Sequence, residues 1–498
     1  MLSGPVFRID LTGWLIPIGI LYFTRSSHPL KGYLWAVLFM MIISVIGGLF
    51  TSPLPIVAII ISAPIAAFPE MVPYLIDRFM HRRLSPLLAS ILFPAVAVSL
   101  EYMMSTIFSS IGILASTQTH FVEMIQWASV AGVYGISFIM YWTASTLVGW
   151  MLSEEDSPLN YKPWLITILM ILLFGAIRIN TTSEIKDTVK VAGIAVEEFS
   201  IWEAVYQNVY GEEIEINVHN ANSPEMGKIL AAIPEYLKDP ENEKYEQTNL
   251  ALKDFGDQLL SLSANEADAG SRIIVWSETN LPILQKDESG FILKAQELAV
   301  EKEVFLSISM GVFLPYNESG PMYENKAILI SPEGKVLDNY EKAKPVPFMD
   351  SSLPGDGIIA KVETDYGILT QAICYDADFP PLMAQASGAD ILLLPANDWL
   401  GISPYHGDNS VFRAVENGVS IVRPTGSGQS VIFDPYGRAL SRVEAFDKEV
   451  RIINAYVPIN GCSTIFSFIG NLIVWISMMC TAVLITMVII NYFKSRSS

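Results

Sequence analysis

The chain has 498 residues, of which 51% are hydrophobic and only 16% charged, with a formal net charge of −20. That length exceeds one ordinary core and predicts at least two units. So little charge excludes a wholly water-soluble enzyme, and an acidic chain without a basic stripe excludes nucleic acid as a partner.

The apolar surplus is uneven. Six apolar segments precede a polar region, at about 11–23, 33–50, 55–68, 87–114, 127–152 and 163–179, and a seventh, 465–493, follows it. A membrane span needs ~20 apolar residues, so the second, fourth, fifth and seventh qualify outright and the first and third are short. No basic n-region with a small-residue cleavage site opens the chain, so no cleavable signal is read there. Arg25 and Lys31 lie between the first two segments, Arg78, Arg82 and Arg83 between the third and fourth, and Lys494 and Arg496 after the last. The alternate connections, 51–54 and 116–123, carry no Lys or Arg. With basic loops cytoplasmic, seven spans put the polar domain outside. The expected organisation is an N-terminal transmembrane bundle at 1–180, a catalytic domain at 181–462, and a C-terminal transmembrane helix with a short cytoplasmic tail at 463–498.

In the polar region, β-like runs at 189–196, 272–276, 304–310, 326–330, 367–373, 391–394 and 419–423 mix with helical stretches at 242–262 and 291–301. Ser331-Pro-Glu-Gly334 and Asp434-Pro-Tyr-Gly437 read as tight turns between strands. The mixture predicts a layered α/β fold.

Three stretches there carry chemistry. Ile274-Val-Trp-Ser-Glu-Thr-Asn-Leu-Pro282 runs a buried strand into Glu278, then a loop ending in proline. Tyr340-Glu-Lys-Ala-Lys-Pro-Val-Pro-Phe-Met-Asp350 crowds two lysines into a segment stiffened by prolines. Gly367-Ile-Leu-Thr-Gln-Ala-Ile-Cys-Tyr-Asp-Ala-Asp-Phe-Pro380 delivers Cys374 to a strand's end before a proline-started helix. Singly, these have ordinary readings: a solvated loop acid, a basic surface turn, a buried structural thiol. Together they divide the work of acyl transfer. A cysteine is the nucleophile, a glutamate takes and returns its proton, and a lysine cation, with a backbone N–H beside the nucleophile, stabilises the oxyanion. His406 lies in this region, as does His219, so a Cys–His pair stays open as an alternative. The other two cysteines, Cys462 and Cys480, form no disulfide framework, and the five histidines match no zinc spacing, so neither a metal nor a cofactor is expected.

This pattern resembles the nitrilase (carbon–nitrogen hydrolase) superfamily, and more closely its membrane-bound apolipoprotein N-acyltransferases. Tyr323-Glu-Asn-Lys-Ala327, Asn397-Asp-Trp399 with His406 and Arg413, and in the apolar part Pro94, Glu101 and Gly132-Val-Tyr-Gly-Ile-Ser-Phe138, resemble that family too. The resemblance implies a membrane α-helical bundle plus a nitrilase-like αββα sandwich on the extracytoplasmic side of a bacterial inner membrane. It makes Glu278 the base, Lys342 the stabilising cation with Lys344 a neighbour, and Cys374 the acylated nucleophile. Asn325, Asp350, Tyr375, Asp376, Trp399 and His406 would support them or position substrate. The partners implied are membrane lipid, a phospholipid acyl donor and a diacylglyceryl-modified lipoprotein acceptor. Two departures stand out: Asp350 and Asp376 occupy places where the family usually has glutamate, and the Gly-Phe-Pro-Trp stretch expected after Glu101 is absent. Apolar loop residues at Phe348–Met349 and Trp399–Leu400 are candidates to dip towards a bilayer or to pack the pocket. The alternatives are a membrane-anchored amidase of the same superfamily, which passes the acyl group to water, and a non-catalytic scaffold or transporter, for which no inverted repeat is visible.

Overall fold

A computed structural model describes residues 10–52, 54–153, 161–181, 187–197, 199–216, 224–444 and 450–497. The first nine positions of the expected bundle, and Pro53 in the connection 51–54, lie outside them. The chain divides into two compact units, Met1–Ser183 with Thr464–Ser498, and Glu184–Ser463.

The first unit is helical. Its long elements are Asp10–Ser26, Pro29–Thr51, Ile56–Met80, Pro86–Phe108, Ala128–Met151, Lys162–Asn180 and Leu472–Ser497. Six of the described helices are long and apolar enough to cross a membrane, and the protein is a membrane protein. The helix Asp10–Ser26 has 17 residues, ~25 Å at 1.5 Å per residue, short of a ~30 Å hydrocarbon core.

The apolar runs mislead at three ends. The third helix continues past Phe68 to Met80, carrying Glu70, Asp77 and Arg78 with it. Asp77 is sheltered there, pairing with Arg25 at 2.7 and 2.8 Å. The fourth helix stops at Phe108 rather than at 114, because Ser109 turns to φ 118°. The last apolar run breaks at Gly470 (φ 55°), leaving a short helix Ile465–Ile469 ahead of the long one. Within Ala128–Met151, Gly132 sits at φ 68° and kinks the helix.

Arg25 is therefore a buried ion-pair partner rather than a loop charge, and Lys31 is the exposed cation of that connection. Arg78 donates to the Ser27 carbonyl at 3.0 Å, and Arg83 lies over the Tyr492 ring at 5.3 Å. The first and third connections and the end of the last helix thus meet at one end of the bundle.

The second unit is a two-sheet sandwich. One sheet runs Val450–Pro458, Thr188–Val196, Ile273–Trp276, Phe305–Phe313, Tyr323–Ile330, Val336–Glu341, with Leu281–Leu284 and Ser352–Leu353 added to its middle strands. The other runs Ala439–Val443, Ser430–Phe433, Ser420–Arg423, Ile391–Leu393, Gly367–Gln371, Lys361–Thr364. Strand residues alternate between faces. Val191, Ile273, Val275 and Leu329 point inward against Leu369, Ile391, Leu393 and Val422. Ile194, Ile274 and Leu306 point outward under helices Glu246–Asp268 and Gln285–Lys302, through Phe255, Leu259, Phe291 and Ala295. On the far side, helix Val411–Asn417 packs on Ser420–Arg423. This is the expected αββα layering.

Both tight turns form: Gly334 and Gly437 donate back to Ser331 and Asp434 at 2.9 Å, at φ 73° and 77°. Pro282 lies inside a strand instead of closing a loop.

Candidate functional site

The three expected stretches converge. Glu278 lies two residues beyond Ile273–Trp276, where its N–H donates to the Ala396 carbonyl across the sandwich. Lys342 follows the strand Val336–Glu341, and its N–H donates to the Asn325 carbonyl. Cys374 opens the one-turn helix Cys374–Asp378 after Gly367–Gln371, with φ 47°. Thr279 beside Glu278 and Phe348 in the Lys342 loop also have positive φ, at 48° and 66°. Left-handed backbone at non-glycine residues costs about 1–3 kcal/mol each and gathers at functional sites.

Lys342 Nζ lies 2.7 Å from Glu278 Oε1 and 2.8 Å from Asp350 Oδ2. All three side chains are buried. Asn325 Nδ2 donates to Glu278 Oε1 at 2.8 Å, and the Asn397 N–H donates to Glu278 Oε2, also at 2.8 Å. The Asn397 carbonyl in turn faces Cys374 Sγ at 3.7 Å. The backbone of Asn397 therefore faces the carboxylate through the peptide on one side of its Cα and the thiol through the peptide on the other. Cys374's own N–H is committed to the Pro395 carbonyl at 2.8 Å.

Burial works against the Lys342 ammonium, but Glu278, Cys374 and Asp350 outweigh it and hold its pKa well above the usual lysine value. Burial, reinforced by Glu278, pushes the Cys374 thiol well above its ordinary pKa, with Lys342 pulling the other way. Burial would raise Asp350, yet Lys342 overcomes it and leaves the carboxyl below its usual range. The resting site is thus a protonated thiol beside an ion pair, with Lys342 kept cationic.

The supporting residues fall into two groups. Asn325 and Asp350 touch the central trio, and Asp350 also accepts from the Tyr323 hydroxyl at 2.7 Å and the Ser352 N–H at 2.9 Å. Asp376 accepts from the Tyr340 hydroxyl (2.8 Å), the Lys344 N–H (2.8 Å) and the Ile373 N–H (3.2 Å). It fastens the lysine segment to the cysteine segment. Tyr375 stacks edge-on against Phe379 at 5.1 Å, and Trp399 is half-buried. Lys344 is exposed and its ammonium lies over the Phe379 ring at 5.2 Å, outside the central trio.

His406 is not a free base. Its Nδ1 lies 2.6 Å from Asp398 Oδ1 and its Nε2 3.1 Å from Asp378 Oδ2. Arg423 grips the same Asp398 at 3.0–3.3 Å. Donor atoms of Cys374, Asp398 and His406 lie within 4.8 Å of one another, but the guanidinium and imidazole already pair the carboxylate. Asp398, Asp378, Arg423 and the Asn397 peptide were not among the expected site residues. The signal for two of them was the Asn397-Asp-Trp399 stretch directly after a strand.

Residues 244–460 match the carbon-nitrogen hydrolase family, and residues 1–146 match the apolipoprotein N-acyltransferase N-terminal domain. Over most of its length the chain is similar to apolipoprotein N-acyltransferases. An apolipoprotein N-acyltransferase of Geobacter metallireducens is 26% identical to it over 443 residues, covering 82% of this chain and 76% of that protein. Apolipoprotein N-acyltransferase 2 of Treponema denticola is 25% identical over 409 residues, covering 75% and 71%. Among solved structures, an amidase from Nesterenkonia sp. shares 19% identity with a TM-score of 0.35, over 42% of this chain and 86% of the amidase.

Proposed function

We propose that the protein is an apolipoprotein N-acyltransferase that moves a fatty acyl chain from a phospholipid, through a Cys374 thioester, to the α-amino group of a lipidated N-terminal cysteine on a lipoprotein. The observation that carries the chemistry is the buried Lys342 ammonium held between Glu278 and Asp350 beside the Cys374 thiol.

In the first half-reaction Glu278 takes the thiol proton as the Cys374 sulfur attacks the ester carbonyl carbon. Negative charge gathers on the carbonyl oxygen, and Lys342 is the cation that meets it. The ester C–O bond breaks, Glu278 returns the proton to the departing alkoxide, and a lysophospholipid leaves. In the second half-reaction the acceptor amine attacks the thioester carbonyl and gives a proton to Glu278. The C–S bond breaks, an amide forms, and the thiolate regains its proton. Asp350 and Asn325 hold Lys342 and Glu278 in register for both steps. Each of the two Asp-for-Glu replacements keeps a carboxylate, since both aspartates retain full sets of donors.

Both substrates are lipid-anchored, which accounts for joining a helical unit to a sandwich. Lys31, Arg82 and Arg83 are exposed at the bundle end where Arg83 meets Tyr492 near the close of the last helix. Basic ends face the cytoplasm. The last helix begins at the opposite end, so the segment that precedes it emerges outside, supporting an extracytoplasmic catalytic domain on a bacterial inner membrane. The anchored-amidase alternative is not favoured, because the N-terminal match is to an acyltransferase domain.

The test supplies the detergent-solubilised protein with phospholipid carrying a labelled acyl chain and with a synthetic peptide bearing a diacylglyceryl-cysteine N-terminus. Label transferred to the peptide as an amide supports the reading; label released only as free fatty acid, or hydrolysis of small amides without transfer, contradicts it.

A further inference from the structure

We infer that His406 is a positioning residue for acyl transfer: its ring, held between Asp398 and Asp378, clamps the turn that bears Cys374 to the segment that bears Asn397. The inference rests on reading Cys374 as the acylated nucleophile.

The clamp joins two pieces of chain that also meet through the Cys374 N–H bond to the Pro395 carbonyl at 2.8 Å. Asp378 closes the turn Cys374–Asp378. Asp398 follows Asn397, whose N–H contacts Glu278 and whose carbonyl faces Cys374. His406 comes from a third element, Tyr405–Asn409, and reaches both carboxylates, at 2.6 and 3.1 Å. Asp378, Asp398 and His406 are all buried. With the Cys374 N–H bond to Pro395 holding the start of the turn, the Asp378–His406–Asp398 contacts hold its end, and the two together set the thiol against the Asn397 carbonyl and Glu278.

His406 Nδ1 is hydrogen-bonded to Asp398, whereas Nε2 meets Asp378 Oδ2 as an ion-pair contact at 3.1 Å, attractive only while the ring carries its second proton. The clamp therefore closes only around the imidazolium. The charged groups facing the ring are Asp398, Asp378 and Arg423, whose guanidinium comes within 3.0 Å of Nδ1; the Cys374 thiol lies within 4.8 Å. Burial opposes the second proton, but Asp398 and Asp378 outweigh it, Arg423 notwithstanding, and raise the His406 pKa to about 9. Because the folded pKa is raised, the stabilisation is complete below the unfolded histidine value of ~6.5 and disappears as pH rises through about 9. Above it Asp398 keeps Arg423, while Asp378 retains one long contact, from Asn409 Nδ2 at 3.3 Å. The Asp378 arm is the one that opens, and it is the arm on the nucleophile's turn.

The experiment follows the first half-reaction alone, with the full-length protein in detergent and phosphatidylglycerol as donor, so that no acceptor amine titrates. Lysophospholipid release and the Cys374 thioester are measured from roughly pH 6.5 to 10. The wild type is expected to hold a level acylation rate constant at saturating phospholipid through neutrality and to lose it along a single-proton limb near pH 9, with half-saturation unchanged. His406→Gln is expected to lower the acylation rate constant by about a hundredfold, the scale of an ångström-sized misplacement, at unchanged half-saturation and with the limb abolished. Asp378→Asn, which keeps the shape but removes one charge, is expected to move the limb to lower pH. A merely structural histidine would change the yield of folded protein and leave the limb where it was. A wild-type rate that stays flat or rises through pH 10 overturns the clamp, even if His406→Gln fails to fold. So does His406→Gln with the wild-type acylation rate constant and an unmoved limb. Absence of any thioester in the wild type at every pH overturns the reading of Cys374 itself, a failure distinct from either of these.

Discussion

Lys342 Nζ lies 2.7 Å from Glu278 Oε1 in a site where both side chains are buried. That pairing gives the site a base and an oxyanion cation from one contact, and it makes each residue's removal a test of a separate step. Glu278→Gln preserves the size and the Asn325 neighbour but cannot take a proton. Thioester formation is expected to fall by about a hundredfold to ten-thousandfold, measured as lysophospholipid release. Lys342→Met removes the cation and leaves Glu278 and Asp350 facing each other; kcat is expected to fall by about a hundredfold to a thousandfold. A loss confined to KM in either variant would contradict the assigned roles.

Cys374 is held as a thiol by burial and by Glu278. Reactivity belongs to the thiolate, so alkylation by iodoacetamide is expected to climb with pH by about tenfold per unit, with no plateau below about pH 9. Intact mass after timed alkylation checks this. A plateau near neutrality would show a preformed thiolate.

Asp77 and Arg25 form a bidentate pair inside the helical unit, joined by the Ser145 hydroxyl at 3.1 Å from the guanidinium. Removing one member strands the other charge, so Asp77→Ala is expected to cost about 3–5 kcal/mol. The double replacement Asp77→Leu with Arg25→Met is expected to recover most of that loss. Thermal melting in detergent reads both, and equal melting of single and double variants would contradict the pairing.

Phe348 is 95% exposed at φ 66°, two residues before Asp350, and Met349 and Leu400 are exposed as well. A ring so presented has no packing role to lose. Phe348→Ser is therefore expected to leave the melting temperature unchanged and to raise KM for phospholipid in mixed micelles by about tenfold to a hundredfold, the ~1.5–3 kcal/mol scale of an apolar side chain brought out of water. An unchanged KM would remove this residue from lipid contact.

Much of the sandwich was legible because its buried strands are nearly unbroken apolar runs. Thr188–Val196, Ile273–Trp276 and Phe305–Phe313 are buried on both faces and were visible on that ground. The strands Val336–Glu341, Ala439–Val443 and Val450–Pro458 escaped notice because half of their residues face outward or are polar. Arg451, for example, is buried with Glu197 meeting it at 3.1 Å. In the helical unit the missing length of Ile56–Met80 has the same cause: Asp77 breaks the apolar pattern and is compensated by a residue 52 positions away. Glu278, Lys342 and Cys374 were found from strand ends and residue chemistry. Asp398, Asp378 and Arg423 were not, because what singles them out is a shared imidazole that only the fold brings to them.

The central claim is that an acyl chain rests on Cys374 between donor and acceptor, and intact mass spectrometry after exposure to phospholipid alone addresses it most directly. The wild type is expected to gain the mass of one fatty acyl chain, mapped to Cys374, with one lysophospholipid released per protein, while Cys374→Ala gains nothing. A wild type that turns over phospholipid without any adduct, or a Cys374→Ala variant that acquires one, would contradict it.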